Sequence, residues 1–149
     1  MKIVRDILNS KGSREVYSIG PKATVLDALT MMAEKMIGAL MVIDEKNEIA
    51  GIFTERDYVR KIRLKGKTSE QTTVEEIMTP RAELYTVKPG TTVDDCMVLM
   101  TARRIRHLPV FDGETFAGLV SIGDVIKSVV SEQETLIEHL SDYIAGRYV

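Results

Sequence analysis

Hydrophobic and polar residues follow the same order in two successive blocks of the chain. Short apolar runs with strand character alternate with stretches whose apolar residues recur at helical spacing. The predicted segments of the two blocks are strands at 16–19 and 84–87, helices from Thr24 and Thr92, strands at 39–43 and 108–111, strands at 49–53 and 116–120, and helices from Thr54 and Ser121. The pattern therefore predicts the order β-α-β-β-α twice.

The two blocks are an internal repeat. When the chain is shifted by 68 positions, residues 15–44 fall on 83–112 without a gap, and eleven of the thirty pairs are identical. Chance would give about two identities at average residue frequencies. One residue is then missing from the second copy, after which three further pairs align: Gly51 with Gly118, Thr54 with Ser121, and Asp57 with Asp124. The chain therefore contains a duplicated unit.

This duplication defines the expected domains and fold class. We place the first repeat at 1–66 and the second at 74–131, with the polar stretch 65–72 as the linker. A three-stranded sheet with two helices leaves apolar surface uncovered, so the halves are expected to pack together. The expected fold is α+β, two βαββα repeats in pseudo-two-fold symmetry followed by a C-terminal helix.

The tail at 132–149 lies outside the repeat. Its apolar residues Leu136, Ile137, Leu140 and Ile144 share one face of a predicted helix. Such a face must be covered. Packing on its own domain and contact with a second chain are equally compatible with the pattern.

Composition limits the classes of partner. The net charge of −2 and the low aromatic content argue against nucleic acid binding, and no apolar run is long enough to cross a membrane. Cys96 is the only cysteine, which excludes an internal disulfide and favours a reducing compartment. Neither histidine has the spacing of a metal site. We expect a cytoplasmic protein, or one in an organelle matrix if the chain is a processed fragment, with no membrane and no metal.

Two strand-to-helix corners carry the candidate chemistry. In each, a hydroxyl precedes a carboxylate by three residues where a strand turns into a helix: Thr54 with Asp57, and Ser121 with Asp124. A helix N-terminus attracts phosphate, and a carboxylate there can accept hydrogen bonds from ribose hydroxyls. Taken singly, each pair is better explained as a capping box. Duplication at matching positions favours binding of a nucleotide.

These features together resemble a known family. The segment 74–80, the run Arg104-Ile105-Arg106-His107-Leu108-Pro109-Val110 and the two Gly-apolar-apolar-Thr/Ser-x-x-Asp corners are similar to a tandem pair of cystathionine β-synthase (CBS) domains, or Bateman module. The resemblance covers roughly residues 1–131, and within the family the segments 51–60 and 104–124 with the appended tail are similar to stand-alone CBS-pair proteins of bacteria and plant organelles. It implies two clefts between the halves, each taking an adenosine-containing ligand: AMP, ADP, ATP, an NAD-type dinucleotide or S-adenosylmethionine.

The resemblance also implies the residues of the two clefts. For the first cleft they are Thr54, Arg56, Asp57, Leu84, Tyr85, Ile105, Arg106, His107 and Pro109. For the second cleft they are Ser121, Gly123, Asp124, Val16, Tyr17, Ile37, Gly38 and Met41. Arg56 and Arg106 favour a charged phosphate tail in the first cleft, whereas glycines take both equivalent positions in the second. A less charged ligand, or the far half of a dinucleotide, would suit the second cleft better.

We therefore expect a non-enzymatic regulator that senses adenine nucleotides, forms a homodimer and signals to an unidentified protein partner. Two alternatives stay open: a small nucleotide-processing enzyme, and a ligand-free oligomerisation scaffold. An enzyme would need carboxylates converging on the phosphate or a nucleophile with a base, and the sequence offers neither. His107 is interpreted as facing phosphate or as merely packed, and Cys96 as a small buried residue.

Overall fold

The computed structural model describes residues 1–11 and 16–145, so the last four residues of the predicted tail lie outside the described part. In chain order the α-helices and β-strands are α1 (Val4–Lys11), β1 (Ser18–Ile19), α2 (Val25–Lys35), β2 (Ala39–Ile43), β3 (Ile49–Thr54), α3 (Glu55–Tyr58), α4 (Val74–Ile77), β4 (Thr79–Pro80), α5 (Val93–Arg103), β5 (His107–Asp112), β6 (Thr115–Ser121) and α6 (Ile122–Ile144). A π-helical turn at Val59–Arg63 continues α3, and a 3-10 turn at Arg81–Glu83 follows β4. The βαββα order predicted from the pattern is therefore recognisable, and the predicted fold class is confirmed.

The chain divides into two compact units. The central unit is Arg14–Tyr85, and the terminal unit combines Met1–Ser13 with Thr86–Val149. The units do not coincide with the sequence repeats. The first helix of repeat 1, α1, belongs to the terminal unit, and the first helix of repeat 2, α4, belongs to the central unit. The boundaries at 1–66 and 74–131 describe the duplicated sequence and stay a prediction about domains.

The exchange of leading helices rests on matching backbone hydrogen bonds. In the terminal unit the amide of Val4 in α1 donates to the carbonyl of Thr91 at 2.8 Å. In the central unit the amide of Val74 in α4 donates to the carbonyl of Ala23, also at 2.8 Å. Ala23 and Thr91 are equivalent in the repeat, so both units receive a helix at the same place.

The central unit contains a four-stranded sheet in the order β1-β2-β3-β4. β1 is parallel to β2, and the remaining pairs are antiparallel. One face packs against the helices through Leu40, Val42 and Phe53, which are all fully buried. The sheet thus has one strand more than the three predicted, because residues 79–80 pair with β3. Proline at position 80 agrees with this, since the residue before a proline disfavours helical geometry.

The terminal unit contains the antiparallel pair β5-β6. The strand predicted at 84–87 is reduced here to a single bridge between Val87 and Val110. The core of this unit consists of α1, α5, the sheet and the first turns of α6, with Val4, Leu108 and Val125 fully buried. The shorter sheet leaves β6 adjacent to α1, where the central unit has β4 beside β3.

The aligned glycines are explained by close approaches of different kinds. A Cβ at Gly51 would overlap the backbone carbonyl oxygen of Thr79 in the neighbouring strand. A Cβ at Gly118 would lie 2.8 Å from a methyl carbon of Leu8 in α1, and Gly118 also has a φ of +156° that disfavours other residues. Glycine at this position lets a neighbouring element approach the third strand of the repeat. The approaching element is β4 in the central unit and α1 in the terminal unit.

The closing helix of the second repeat and the predicted tail form one continuous helix, α6, of 23 residues. Its first turns are anchored by Val125 and Ser128, which are buried in the terminal unit. Beyond Glu132 the apolar residues of the tail are exposed. Of the two interpretations of the tail, packing on its own domain is therefore wrong for the described residues.

Candidate functional site

The corner at residues 54–57, called the Thr54 corner below, is built by β3 and the first turn of α3. Thr54 is extended, with φ −124° and ψ 163°, and its hydroxyl accepts a hydrogen bond from the Asp57 amide. In return the Asp57 carboxylate accepts from the Thr54 amide at 3.0 Å. The capping box expected from the sequence is therefore formed.

The Asp57 carboxylate is buried and receives donors on both oxygens. Oδ2 accepts from the amide and, at 3.1 Å, from the hydroxyl of Thr54. Oδ1 accepts from the Thr79 hydroxyl at 3.3 Å and lies 3.1 Å from the Lys61 ammonium. A carboxylate has about four lone-pair sites, so these four donors occupy its capacity.

The corner at residues 121–124, the Ser121 corner, repeats this geometry at the end of β6. Ser121 is extended, with φ −96° and ψ 163°, and its hydroxyl accepts from the Asp124 amide. The Asp124 carboxylate accepts from the Ser121 amide at 2.9 Å through Oδ2. The duplicated sequence has therefore produced duplicated local geometry.

A lysine from a remote part of the chain completes the Ser121 corner. The ammonium of Lys11, the last residue of α1, donates to Asp124 Oδ2 and to the Leu119 carbonyl, both at 2.8 Å. Burial by itself would raise the pKa of the Asp124 carboxyl. The bonds and charge of Lys11, together with bonds from Ser121, outweigh burial, so the pKa lies below its ordinary value of 3.8. Asp124 is an anion at neutral pH.

His107 lies beside this ion pair. It faces Ser121 across the β5-β6 ladder. Burial lowers the pKa of His107 to about 4, with the charges of Lys11 and Arg106 adding to the effect and that of Asp124 opposing it. His107 is therefore neutral at pH 7 and brings no positive charge to a phosphate.

Capping boxes also occur at helices away from the two corners. Thr24 with Asp27 caps α2, and Thr73 with Glu76 caps α4. The carboxylates of these pairs are exposed. Low side-chain exposure, 9% for Asp57 and 15% for Asp124, and a lysine partner therefore distinguish these two carboxylates, whereas the capping box itself does not.

Each corner is tied to the start of the strand beside it. The Gly38 carbonyl accepts from the Glu55 amide at 3.1 Å, and the Arg106 carbonyl accepts from the Ile122 amide at 2.8 Å. Within a unit, then, each corner adjoins residues that the resemblance assigned to the other cleft. Both strand starts follow a residue with a left-handed backbone, Met36 at φ 56° and Arg104 at φ 54°.

The other residues predicted for the sites lie in varied surroundings. In the central unit two of them are exposed, Val16 and Tyr85, and Met41 is fully buried. The half-buried ones are Arg56, Leu84, Tyr17 and Ile37. Those of the terminal unit are Gly123 and Arg106, which are exposed, Ile105, which is half-buried, and Pro109, which is buried. The ammonium of Lys35 lies 5.3 Å from the centre of the Tyr17 ring. How the residues assigned to one cleft from different units combine stays a prediction.

An open surface groove of about 440 Å³ lies beside the Thr54 corner. Its wall is formed by one side of α2 and by the turn that leads into β2. The lining residues are Leu29, Met32, Ala33, Met36, Ile37, Gly38 and Glu55. Two residues predicted for a ligand site, Ile37 and Gly38, thus line a real depression.

Sequence reasoning missed three groups at the corners. Lys61 is four residues after Asp57 on the same helix, so its proximity could have been read from helical spacing. Thr79 and Lys11 reach the carboxylates from 22 and 113 residues away. Nothing in local sequence indicates such contacts.

Two features relevant to catalysis and metal binding can be read from the described residues, namely the state of the cysteine thiol and the grouping of metal-ligating side chains. Burial raises the pKa of the Cys96 thiol to about 11, so it is a poor nucleophile. Between residues 1 and 145, leaving out 12–15, no group of three or more His, Cys, Asp or Glu residues could hold a metal ion. In the same part of the chain no helix is long and apolar enough to cross a membrane.

Comparison with known proteins identifies the class to which this fold and these corners belong. The family model of the CBS domain matches twice, at residues 4–64 and 74–131. The chain belongs to the CBS domain family, and its two matches are the two sequence repeats.

Individual relatives agree with this assignment. The chain is 43% identical over 150 residues to the CBS domain-containing protein CBSX3, mitochondrial, of Arabidopsis thaliana, covering 97% of this chain and 73% of that protein. The structure of a CBS-domain protein from Burkholderia ambifaria superposes with a TM-score of 0.82 at 47% identity, covering 89% of this chain and 96% of the other.

A more distant structure contains adenosine compounds. The CBS domain pair of protein MJ0100, in complex with 5-methylthioadenosine and S-adenosyl-L-methionine, superposes with a TM-score of 0.72, covering 89% of this chain and 98% of the other. The sequence identity is 23%, so this likeness shows a shared fold.

Proposed function

We propose that this protein is a non-enzymatic regulatory module that binds an adenosine-containing ligand at its strand-to-helix corners and passes its state to a protein partner. The observation that carries the proposal is the pair of carboxylates, buried Asp57 and partly buried Asp124, each at a helix N-terminus with a lysine beside it. A carboxylate can accept from ribose hydroxyls, while a cation and a helix N-terminus favour phosphate.

The two corners are not equally ready for a ligand. Asp57 has donors on both oxygens, so a ribose hydroxyl must displace Lys61 or a threonine hydroxyl. At Asp124 the bonds from the Ser121 amide and from Lys11 both go to Oδ2. Among the residues that the structure describes, this leaves Oδ1 as the oxygen for a ligand hydroxyl, and we propose the Ser121 corner as the stronger ribose acceptor.

Lys11 changes the expected charge preference of the second site. The sequence predicts weak phosphate binding there, because Gly123 and Gly38 replace the arginines of the first site. Lys11 supplies a cation that this comparison of repeats does not contain. We therefore propose that a phosphate-bearing ligand such as AMP, ADP, ATP or an NAD-type dinucleotide can use either corner.

The remaining predicted contacts belong to the same proposal. Apolar residues, including Ile37, Ile105 and Pro109, would hold the adenine, and backbone groups at the strand starts would read its edge. A ligand can shift the arrangement of the protein only by its different affinities for two states, so signalling needs two arrangements of the chain or its oligomer. The proposed compartment is a reducing one, cytoplasm or organelle matrix.

The proposal is tested by titrating AMP, ATP, NAD and S-adenosylmethionine into the wild type and three matched variants: Asp57→Asn, Asp124→Asn and Asp27→Asn. Loss of a charged acceptor removes about 1.5–3 kcal/mol, so affinity falls roughly ten- to hundredfold at an affected site. Asp27 sits in a capping box of the same kind outside the corners, and its variant controls for the loss of a cap. Calorimetry gives the affinities, and melting temperatures without ligand report folding.

Asp124→Asn should weaken binding more than Asp57→Asn, with Asp27→Asn close to the wild type. Wild-type affinity in both corner variants would show that the ligand binds elsewhere. A wild type that binds none of the four compounds would favour the oligomerisation scaffold, and conversion of ATP to ADP in the presence of magnesium would favour the enzyme.

A further inference from the structure

The long helix α6 carries an exposed apolar stripe along its whole length. In the second half of the helix the exposed fractions are 58% for Leu136, 63% for Ile137, 53% for Leu140 and 83% for Ile144. In the first half they are 36% for Ile122, 55% for Ile126 and 47% for Val130. Because Val125 and Ser128 face the core of the terminal unit, the stripe lies on another side of the helix, open to solvent.

The stripe is symmetric about Gln133. Apolar residues occur three, four, seven and eleven positions on either side of it, which are the spacings of one helix face. The symmetric pairs that are exposed on both sides are Val130 with Leu136, Ile126 with Leu140, and Ile122 with Ile144. The counterpart of Ile137 is Val129, which is half-buried and packs against the core of the terminal unit. Two copies of α6 placed antiparallel, with a two-fold axis at Gln133, would therefore bring each residue against its counterpart. An isologous dimer interface requires this kind of self-complementarity.

The charges of α6 favour the antiparallel direction. Between residues 132 and 144 the helix has four acidic residues, Glu132, Glu134, Glu138 and Asp142, and no lysine or arginine. The first half has Lys127, and its one acid, Asp124, is already paired with Lys11. A parallel pair would place the two acidic halves side by side. An antiparallel pair places each acidic half near the Lys127 of the other copy and near the positive end of its helix.

The single polar residue in the stripe also fits a symmetric partner. On the two-fold axis Gln133 would meet Gln133 of the second copy, and an amide carries both donors and an acceptor. The helix extends about 35 Å at 1.5 Å per residue, so the contact can involve six turns from each copy.

We propose that the exposed stripe of α6 is a dimerisation surface, where α6 of a second copy of this chain packs antiparallel with Gln133 on the two-fold axis. The proposal does not depend on ligand binding. It assigns to the tail a defined role that packing within its own unit does not provide.

The direction and register are tested by cysteine cross-linking in a Cys96→Ala background, where the repeat already has Ala28 at the equivalent position. Two single variants, Ile126→Cys and Leu140→Cys, are oxidised separately and as a mixture. The expected result is a disulfide-linked dimer mainly in the mixture, because position 126 faces position 140 of the other copy. Efficient cross-linking of each variant alone indicates a parallel pair and overturns the proposal.

The surface itself is tested by sedimentation of the full chain. Ile137→Glu with Leu140→Glu places charges in the stripe and should convert the dimer to a monomer with an unchanged circular dichroism spectrum. Val98→Glu is the control, since Val98 is an apolar residue that is 67% exposed on a different helix, α5. A wild type that sediments as a monomer, or a double variant that stays dimeric, overturns the proposal. The proposal is also overturned if the wild type is a monomer and forms a heterodimer with a different helical protein, because that protein would then be the partner of the stripe.

Discussion

The Thr54 and Ser121 corners have the same backbone and different surroundings. Both begin a helix with a capping box whose carboxylate is paired with a lysine, and this carboxylate is buried in Asp57 and partly buried in Asp124. Lys61 reaches Asp57 from the next turn of the same helix, whereas Lys11 reaches Asp124 from α1. A duplicated sequence can thus preserve the capping box, while the lysine that pairs with its carboxylate comes from positions that are not equivalent in the two repeats. Function should therefore be assigned to each corner separately.

The largest expected effect concerns the glycines behind the corners. In Gly51→Ala the new methyl overlaps the carbonyl of Thr79, and backbone has to move, so we expect a loss of about 3 kcal/mol of unfolding free energy. In Gly118→Ala the obstacle is the flexible Leu8 side chain together with an unfavourable φ, and we expect a loss of about 1–2 kcal/mol.

Urea unfolding of both variants measures this difference, with Gly113→Ala as a third variant that has a positive φ of +63° and no close neighbour. A Gly51→Ala protein as stable as the wild type would contradict the close approach of β4 to β3.

The next effect is a pH dependence that arises from His107 in the terminal unit. The pKa of His107 is lowered to about 4 in the folded protein, so between pH 6.5 and 4 the unfolded chain binds more protons than the folded one. Stability should therefore fall as the pH drops through this range, by up to about 3 kcal/mol. In His107→Gln this part of the loss should disappear.

Unfolding curves at pH 7 and pH 4.5 check this expectation, and His139→Gln on the exposed tail is the matched control. An equal acid destabilisation of the wild type and His107→Gln would show that His107 is not buried in its neutral form. Loss of the Lys11–Asp124 pair also destabilises the fold in acid, at pH values below the ordinary pKa of Asp124.

The smallest effect compares the two lysines. Lys11→Met leaves a largely buried Asp124 without its cation, and we expect a loss of about 1–2 kcal/mol. Lys61→Met should lose less than about 1 kcal/mol, because Lys61 is more exposed and Asp57 keeps the hydroxyls of Thr54 and Thr79. Thermal unfolding of the two variants in the same buffer gives the comparison. A larger loss for Lys61→Met would reverse the assignment of the stronger ion pair.

The predictions of helices agree with the structure where the hydrophobic periodicity and the capping residues were clear in the sequence. The helices from Thr24, Thr54, Thr92 and Ser121 all begin where their caps predict, because a cap is a contact within three residues. The strand predicted at 84–87 was wrong in extent, since it is reduced to the bridge between Val87 and Val110, and the pairing of residues 79–80 with β3 was not predicted. Both depend on pairing with other parts of the chain, and short segments have little preference of their own.

The sequence by itself determined the duplicated fold, the two corners and the amphipathic character of the tail, since all three arise from local spacing and from comparison of one half with the other. The tertiary structure alone decided which unit receives each leading helix and that Lys11 pairs with Asp124. It also decided that the apolar residues of the tail are exposed and do not pack on the terminal unit. These outcomes rest on contacts between residues far apart in the chain, and such contacts depend on how folded surfaces fit together.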